Sequence, residues 1–411
     1  MTLSISSTPL PNRLAIKLEP RAERAVKRGH PWVFAHGIKQ QRKEGRSGDL
    51  AVLFDRDNRF LGIGLYDPDS PIRVRVLHHG SPTTIDPEWF AERVRLAHEL
   101  RLPLLQTGTD GYRVIHGEND QMPGLVADRY GDSLVVKLYT ASWIPHLGWV
   151  LESLQSLLAP ERIILRASRA VQKQPSDLFG LGDGQVLSGT ATSAPVLFRE
   201  NGLIFEADLI GGQKTGFFLD QRDNRRRVER LCEGRSVLNV FAYTGGFSVY
   251  AARGGAREVT SLDISAPALR AAERNFAHNQ HVEPVSAAVH HRLRGDAFKR
   301  MAELAGQGTR YDVVILDPPS FAKAKDEIDG AMRSYRKLTR LALGILSPGG
   351  TLVAASCSSR VGAESFARAV TDSAGDAGRP LRILEQTGHA IDHPISFPEA
   401  AYLNCIFATA P

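Results

Sequence analysis

The sequence predicts an α/β chain that carries a small basic β-rich segment, then an α+β segment, then a parallel sheet flanked by helices. Three observations predict this. From about Pro195 onward, strand-like and helix-like runs alternate in βαβα order, which implies a parallel sheet with helices on both faces. Before residue 80, short apolar runs separated by Gly, Asp and Pro turn signals imply a small β-barrel. The 411 residues also exceed the length at which one hydrophobic core stops growing, so the chain divides into two or three domains.

Composition narrows the class. With 42% hydrophobic and 23% charged residues the chain is globular, neither disordered nor fibrous. A net charge of +6 permits a polyanionic partner without naming one. Cys232, Cys357 and Cys405 are few, odd in number and far apart, which argues against a disulfide framework or a cysteine-based zinc site and points to a reducing cytoplasm. The His pairs at 78–79 and 290–291 lack metal-site spacing, so no metal is expected. "MTLSISSTPLPNRLAIKL" lacks a basic region followed by an apolar core. No later run reaches the roughly 18 apolar residues of a membrane helix, so neither export nor a membrane partner is expected.

Residues 1–80 form the first predicted domain. Between Arg13 and Gly80 there are 14 lysines and arginines against 8 aspartates and glutamates, a surplus equal to that of the whole chain. Strands are predicted at "RLAIKL", "DLAVLFD", "FLGIGLYD" and "IRVRVL", with a basic helical turn at "PRAERAVKRGH". Residues 81–194 form the second. Asp86 caps a helix "DPEWFAERVRLAHELR" with Pro87 at its first position, strand-like runs follow within "YRVIHGENDQMPGLVADRYGDSLVVKLYT", then the amphipathic "LGWVLESLQSLL". "GLGDGQVLSGTATSAP" reads as a loop or linker. Residues 195–411 form the third, with strands "SVLNVFAY", "EVTSLDIS", "YDVVILDPP" and "TLVAASCS" and helices "GFSVYAARGG", "APALRAAERNFAHN" and "RSYRKLTRLALGIL" between them. Ligands of such sheets bind beyond the carboxyl ends of the strands.

Several residues fall at those ends. Gly245 and Gly246 in "NVFAYTGGFS" let the backbone turn tightly beside a ligand, although the stretch is not the dinucleotide fingerprint. Asp263 ends the next strand, where a carboxylate accepts from ribose hydroxyls or else caps the helix at "APALR"; Ser265 is a competing cap. Asp296 in "RGDAF" suits an adenine amino group or a plain turn. In "VVILDPPSF" two prolines remove two N–H donors and hold carbonyls and the Asp317 carboxylate rigidly at a strand end, in a ligand crevice or a structural turn. Cys357 lies past the last of these strands, where the alternatives are a nucleophile and a small buried hydrophobe. Phe217 and Phe218 either cover a ligand or pack in the core, with Lys214, Asp220 and Gln221 as a gate. "RDNRRRVER" reads as a solvated helix face more readily than as an RNA track.

These residues resemble the class I S-adenosylmethionine-dependent methyltransferases. Nearly end to end, the chain is similar to the bacterial large-subunit ribosomal RNA methyltransferases that join an N-terminal PUA domain, a central α+β domain and a Rossmann-like catalytic domain to make 5-methylcytosine. The stretches that carry the similarity are "KRGHPWVFAHGI", "HGENDQMPGLVADRYGD", "GGQKTGFFLDQRDNRR", "NVFAYTGGFS", "LDPPSF" and "SCS". The resemblance implies S-adenosylmethionine as cofactor, held by Phe218, Asp220, Asn239, Phe241, Tyr243, Gly245, Asp263, Asp296, Asp317 and Pro318. It implies 23S ribosomal RNA as partner, met by Lys27, Arg28, Lys214 and Pro319; the basic first segment adds Lys39, Arg42 and Lys43 as candidate phosphate contacts, and a homodimer is compatible with both.

It also implies Cys357 as nucleophile and Asp317 as the group that holds or protonates the N3 edge of cytosine. Cytosine C5 is a poor nucleophile until a thiolate adds to C6, which is why the reaction needs a cysteine. Some relatives in that chemistry carry a second cysteine directly after the Asp-Pro-Pro motif to release product; here the position is Ser320, so the acceptor of the C5 proton stays open. Cys232 and Cys405 are read as structural. Two other functions remain: methylation of an exocyclic base amine, which needs no cysteine, and a noncatalytic RNA-binding assembly factor on the same fold.

Overall fold

The structure is a computed structural model that describes residues 11–173, 178, 180–192, 194–322 and 324–411. Residues 1–10, where the reading of an unexported N-terminus begins, and Ser193 in the loop after Gly180 lie outside the described residues. The chain divides into two compact units: Met1–Gly202 with Ala207–Leu219 and Ile391–Phe397, and Leu203–Glu206 with Asp220–Ala390 and Pro398–Pro411. The expected boundary at 194 falls shortly before the division after Gly202, and the first unit holds both of the first two expected domains.

The first unit opens with β1 (Arg13–Leu18), α1 (Pro20–Lys27), β2 (Trp32–Phe34), β3 (Ile38–Gln41), β4 (Leu50–Phe54), β5 (Phe60–Tyr66) and β6 (Ile72–His79), arranged as one sheet in the order β2-β6-β5-β4-β1-β3. Next come α2 (Pro87–Leu105), β7 (Gly111–His116), β8 (Leu125–Tyr130), β9 (Ser133–Leu138), α3 (Leu147–Leu158), β10 (Arg162–Ala167), α4 (Arg169–Gln172) and β11 (Val186–Ser188), whose sheet runs β11-β10-β9-β8-β7. Asp86 caps α2 as expected, accepting from the Trp89 N–H, with Pro87 at the first position. The first sheet buries its own cluster, including Leu14, Ile16, Leu53 and Val74. Its other apolar residues Leu50, Ile63, Leu65 and Leu77 enter the core of the second sheet beside Phe90 and Trp143. That shared core is why the two expected domains form one unit. A hairpin of β12 (Val196–Glu200) and β13 (Leu203–Ala207) follows.

The second unit holds α5 (Arg222–Glu229), β14 (Ser236–Val240), α6 (Gly246–Arg253), β15 (Glu258–Asp263), α7 (Ala266–His278), α8 (Glu283–Ala287), β16 (Val289–Arg294), α9 (Ala297–Gly306), β17 (Tyr311–Leu316), α10 (Ile328–Ile345), β18 (Leu346–Ser356), α11 (Ala363–Asp376), β19 (Arg382–Thr387) and β20 (Asn404–Thr409). Its seven strands run β16-β15-β14-β17-β18-β20-β19. The first five are parallel, as the βαβα alternation predicts, while β20 pairs antiparallel with both β18 and β19. Strand order reverses between β14 and β17, and a crevice opens beyond the carboxyl ends of strands at such a point. Ser265 caps α7, accepting from the Ala268 N–H, which frees Asp263 from that task. The expected solvated face at "RDNRRRVER" is corrected in part: Arg222, Asn224, Arg225 and Val228 of α5 are buried, so two arginines pack inward, while Arg226 and Arg230 stay exposed.

Candidate active site

Five strand ends and the loops that follow them build the site. After β14 the chain turns through Phe241 (φ 62), Tyr243 (φ 49) and Gly245 (φ 76), three left-handed residues in five. Aromatic side chains rarely adopt that region, and such strain persists only where the surroundings impose it. Here they do: the Ala242 N–H donates to the Leu262 carbonyl at 3.0 Å, the Tyr243 N–H to Asp263 Oδ2 at 2.8 Å, and Asn275 Nδ2 to the Thr244 carbonyl at 2.8 Å. Gly245 is required twice, by its φ and because a Cβ would meet that of Ala272 on α7 at 2.7 Å. Asp263 uses both carboxylate oxygens on backbone, Oδ1 accepting from the Ser265 N–H at 2.8 Å. It fixes the loop it was expected to share with a ligand.

Asp317 directly follows β17, its N–H donating to the Val240 carbonyl at 3.4 Å, which ties the ends of β14 and β17 together. Pro318 and Pro319 then leave their carbonyls without competing N–H groups. The Cys357 thiol, one residue past β18, donates to the Pro318 carbonyl at 3.4 Å. Two motifs 40 positions apart in the sequence thus meet, with Cys357 and Asp317 partly exposed and Pro318 buried. Tyr335 lies close enough for both to act on it: burial first, then Cys357 and Asp317, push its phenol up to about 12. Ser320 turns its hydroxyl to the Ala322 carbonyl at 3.1 Å. The other thiols differ. Cys232 donates to the Val228 carbonyl, and burial pushes it up to about 12; burial raises the Cys405 thiol further still.

Asp317 Oδ1 accepts from Gln221 Nε2 at 2.9 Å, and Asp220 Oδ2 accepts from the Tyr402 hydroxyl at 2.7 Å. Tyr402 in turn packs edge-on against His389 at 4.4 Å between ring centres. Sequence reasoning missed Tyr402, Asn224 and Thr387, which lie outside any recognisable motif or amid charged residues.

A model of S-adenosylmethionine-dependent methyltransferases matches residues 182–406, and a PUA-like domain model matches residues 16–79. A ribosomal RNA large subunit methyltransferase of Deinococcus radiodurans is 52% identical over 412 residues, covering 99% of each chain. The chain belongs to this methyltransferase family. Ribosomal RNA large subunit methyltransferase I of Pseudoalteromonas translucida is 38% identical, over 95% of this methyltransferase and 97% of that protein. In fold the methyltransferase is similar to a solved Streptococcus mutans chain assigned as a SAM-dependent methyltransferase, with a TM-score of 0.80 at 22% identity over 96% and 100% of the two chains. A solved methyltransferase complexed with SAH gives a TM-score of 0.81 at 22% identity over 97% and 100%.

The family's methyl donor is S-adenosylmethionine, and the residues of the strand-end crevice fit it. Thr244 Oγ1 and Asn239 Oδ1 are buried with no hydrogen-bond partner among the described residues, polar capacity placed in and under the loop. Asn239 itself donates to Ser248 Oγ at 2.9 Å and is buried, so it supports the loop from within the sheet rather than from its surface. Asp296 is exposed and caps α9, accepting from the Lys299 N–H. Pro319 is exposed beside the Cys357 carbonyl partner.

The remaining expected residues belong to the first unit. Phe217 is core, packed edge-on against Phe198 at 5.1 Å, the second of its two expected placements. Lys214, at φ 55, sets its ammonium 4.6 Å from the Phe218 ring. Lys27 is neutralised by Glu23 at 2.8 Å and Asp55 at 3.3 Å, an ion pair that phosphate would have to break, while Arg28 is exposed. On the outer face of β3, β1 and β4, Lys17, Gln40, Arg42, Phe54 and Asn58 line a groove of about 230 Å³. Lys39 and Lys43 are exposed nearby in sequence. Among the described residues no helix is long and apolar enough to cross a membrane, and no cluster of three or more His, Cys, Asp or Glu could hold a metal.

Proposed function

We propose that the protein methylates C5 of a cytosine in 23S ribosomal RNA through a covalent adduct at Cys357. The observation that carries this reading is the 3.4 Å contact between the Cys357 thiol and the Pro318 carbonyl, which sets the one partly exposed cysteine against the Asp-Pro-Pro motif. Membership in a family whose members are named for large-subunit ribosomal RNA supplies the substrate class.

Bound S-adenosylmethionine supplies an electrophilic methyl group on a sulfonium. The protein's part is to make C5 reactive. The Cys357 thiolate forms a bond to C6, the C5–C6 double bond opens, and the electron pair displaced toward N3 takes a proton from the Asp317 carboxyl group, which recovers it when the thiolate leaves. After C5 has taken the methyl group, loss of the C5 proton and expulsion of the thiolate restore the double bond. Ser320 stands where other enzymes of this chemistry place a releasing cysteine, so a different base takes that proton. To reach the strand ends the cytosine leaves its stack, at a cost of a few kcal/mol that unpaired RNA largely avoids.

Methylation of an exocyclic amine by the same fold would use Asp317 and the proline carbonyls and leave Cys357 idle. Incubating the protein with 23S RNA and labelled S-adenosylmethionine, then digesting to nucleosides, separates the two. The expected product is 5-methylcytidine; N4-methylcytidine or an N-methylpurine contradicts the proposal.

A further inference from the structure

We infer that Thr387 and Asn224 are positioning residues that lock the Gln221 amide as a hydrogen-bond donor to Asp317. The inference rests on the reading of Asp317 as the group that faces the cytosine. The Thr387 hydroxyl donates to Asn224 Oδ1 at 2.6 Å, Asn224 Nδ2 donates to Gln221 Oε1 at 2.6 Å, and Gln221 Nε2 donates to Asp317 Oδ1 at 2.9 Å.

A primary amide has one accepting and one donating end, and rotation by half a turn exchanges them. Gln221 alone could therefore offer Asp317 either an N–H or a repelling carbonyl oxygen. The threonine hydroxyl, able to donate or accept, here completes Asn224 Oδ1, and the other end of that amide, its NH₂, faces Gln221. Gln221 must then accept with Oε1 and donate with Nε2. Gln221 and Asn224 are 2% and 1% exposed, too little for water to replace a lost partner, so reversing either amide leaves buried groups unpaired.

Three elements contribute: the turn at Leu219–Gln221, helix α5 and the end of strand β19. The α5 stretch, which reads in sequence as an arginine-rich solvated face, thus carries a buried amide that the site uses. The relay bears on where Asp317 carries its proton. With Oδ1 held by a donor, the ionised carboxylate is favoured and any proton it takes sits on Oδ2. Oδ1 is thereby fixed as an anchor by the Gln221 amide.

The test compares Asn224→Asp and Thr387→Val with Thr387→Ser. Aspartate at 224 keeps the shape but has no donor, so Gln221 should reverse and set Oε1 against Asp317. Valine removes only the hydroxyl, and should Asn224→Asp fail to fold it reads the same relay. The readouts are the carboxyl-carbon NMR titration of Asp317 and the pH profile of single-turnover methylation. Both disrupting variants should raise the Asp317 midpoint by about one pH unit and move the pH profile of single-turnover methylation by the same amount, and Thr387→Ser should restore both. An Asp317 midpoint that stays within experimental error in Thr387→Val, with an unmoved pH profile, overturns the relay. Because the carboxyl titration needs no RNA, a wild-type protein that makes no 5-methylcytidine would refute the proposed reaction while leaving the relay to be judged by that titration.

Discussion

At Cys357, exposure to solvent separates one thiol from two buried ones. The thiolate is the nucleophile, and burial among apolar groups suppresses it. Cys232 and Cys405 are buried and both are raised by that burial, whereas Cys357 is partly exposed at a strand end. Iodoacetamide at pH 8 should therefore alkylate Cys357 at least about tenfold faster than the other two cysteines, as read by peptide mass spectrometry; equal rates would remove the distinction. That Asp317 and Cys357 lie at strand ends was legible in the sequence, because the DPP and SCS stretches close two apolar runs of the βαβα pattern. Their contact was not, since nothing in the sequence gives the register that brings β18 beside β17. Thr387 and Asn224 were illegible for a related reason: each is an ordinary polar residue whose role exists only through a partner 163 positions away.

Among the elements, the β14–α6 loop and strand β16 lead to separate predictions. Gly245→Ala puts a Cβ at φ 76 and against Ala272, so it should destabilise the second unit by about 1–3 kcal/mol and weaken S-adenosylhomocysteine binding in calorimetry; an unchanged melting temperature and affinity would contradict the loop's role. On β16, His290 stacks on Phe276 at 3.9 Å and shares a 2.9 Å hydrogen bond with Ser261. Burial, helped by Arg292 and His291, lowers its pKa from 6.5 to about 4. The neutral ring is the one the fold accommodates. Between pH 6.5 and 4 the unfolded chain binds a proton that the folded chain refuses, so stability is full above 6.5 and falls as the pH drops toward 4. After allowance for partial exposure the loss is about 2 kcal/mol. His116 is lowered as well, so the contribution of His290 is the difference between wild type and His290→Asn in urea midpoints at pH 7 and pH 4.5. The variant should lose less stability on acidification; equal losses would contradict the assignment. The parallel strands were legible from their alternation with helices, whereas β19 and β20 were not, because an antiparallel pair at a sheet edge breaks the βαβα rule.

For the whole molecule, the charge surplus of the first 80 residues points to RNA, but the folded protein redistributes which cations are available. Lys27 is held in an ion pair, whereas Lys17 and Arg42 flank a groove walled by Phe54. Removing residues 1–80 would also expose the core that Leu50, Ile63 and Leu65 share with Phe90, so truncation cannot test RNA binding cleanly. Lys17→Ala with Arg42→Ala should instead lower affinity for single-stranded RNA and flatten the dependence of log K on log salt by about 1.4, two phosphate contacts' worth, with cofactor affinity kept. An unchanged slope would place the RNA surface elsewhere. The central claim is that Cys357 bonds to cytosine, and a target RNA with 5-fluorocytosine at the modified position tests it most directly, because fluorine cannot leave C5 as a proton and the enzyme stays attached after methyl transfer. Mass spectrometry of the trapped complex should find one RNA fragment, one added methyl group and a bond to Cys357, lost in Cys357→Ala and retained in Cys232→Ser; an adduct that survives Cys357→Ala, or full methylation by that variant, would contradict it.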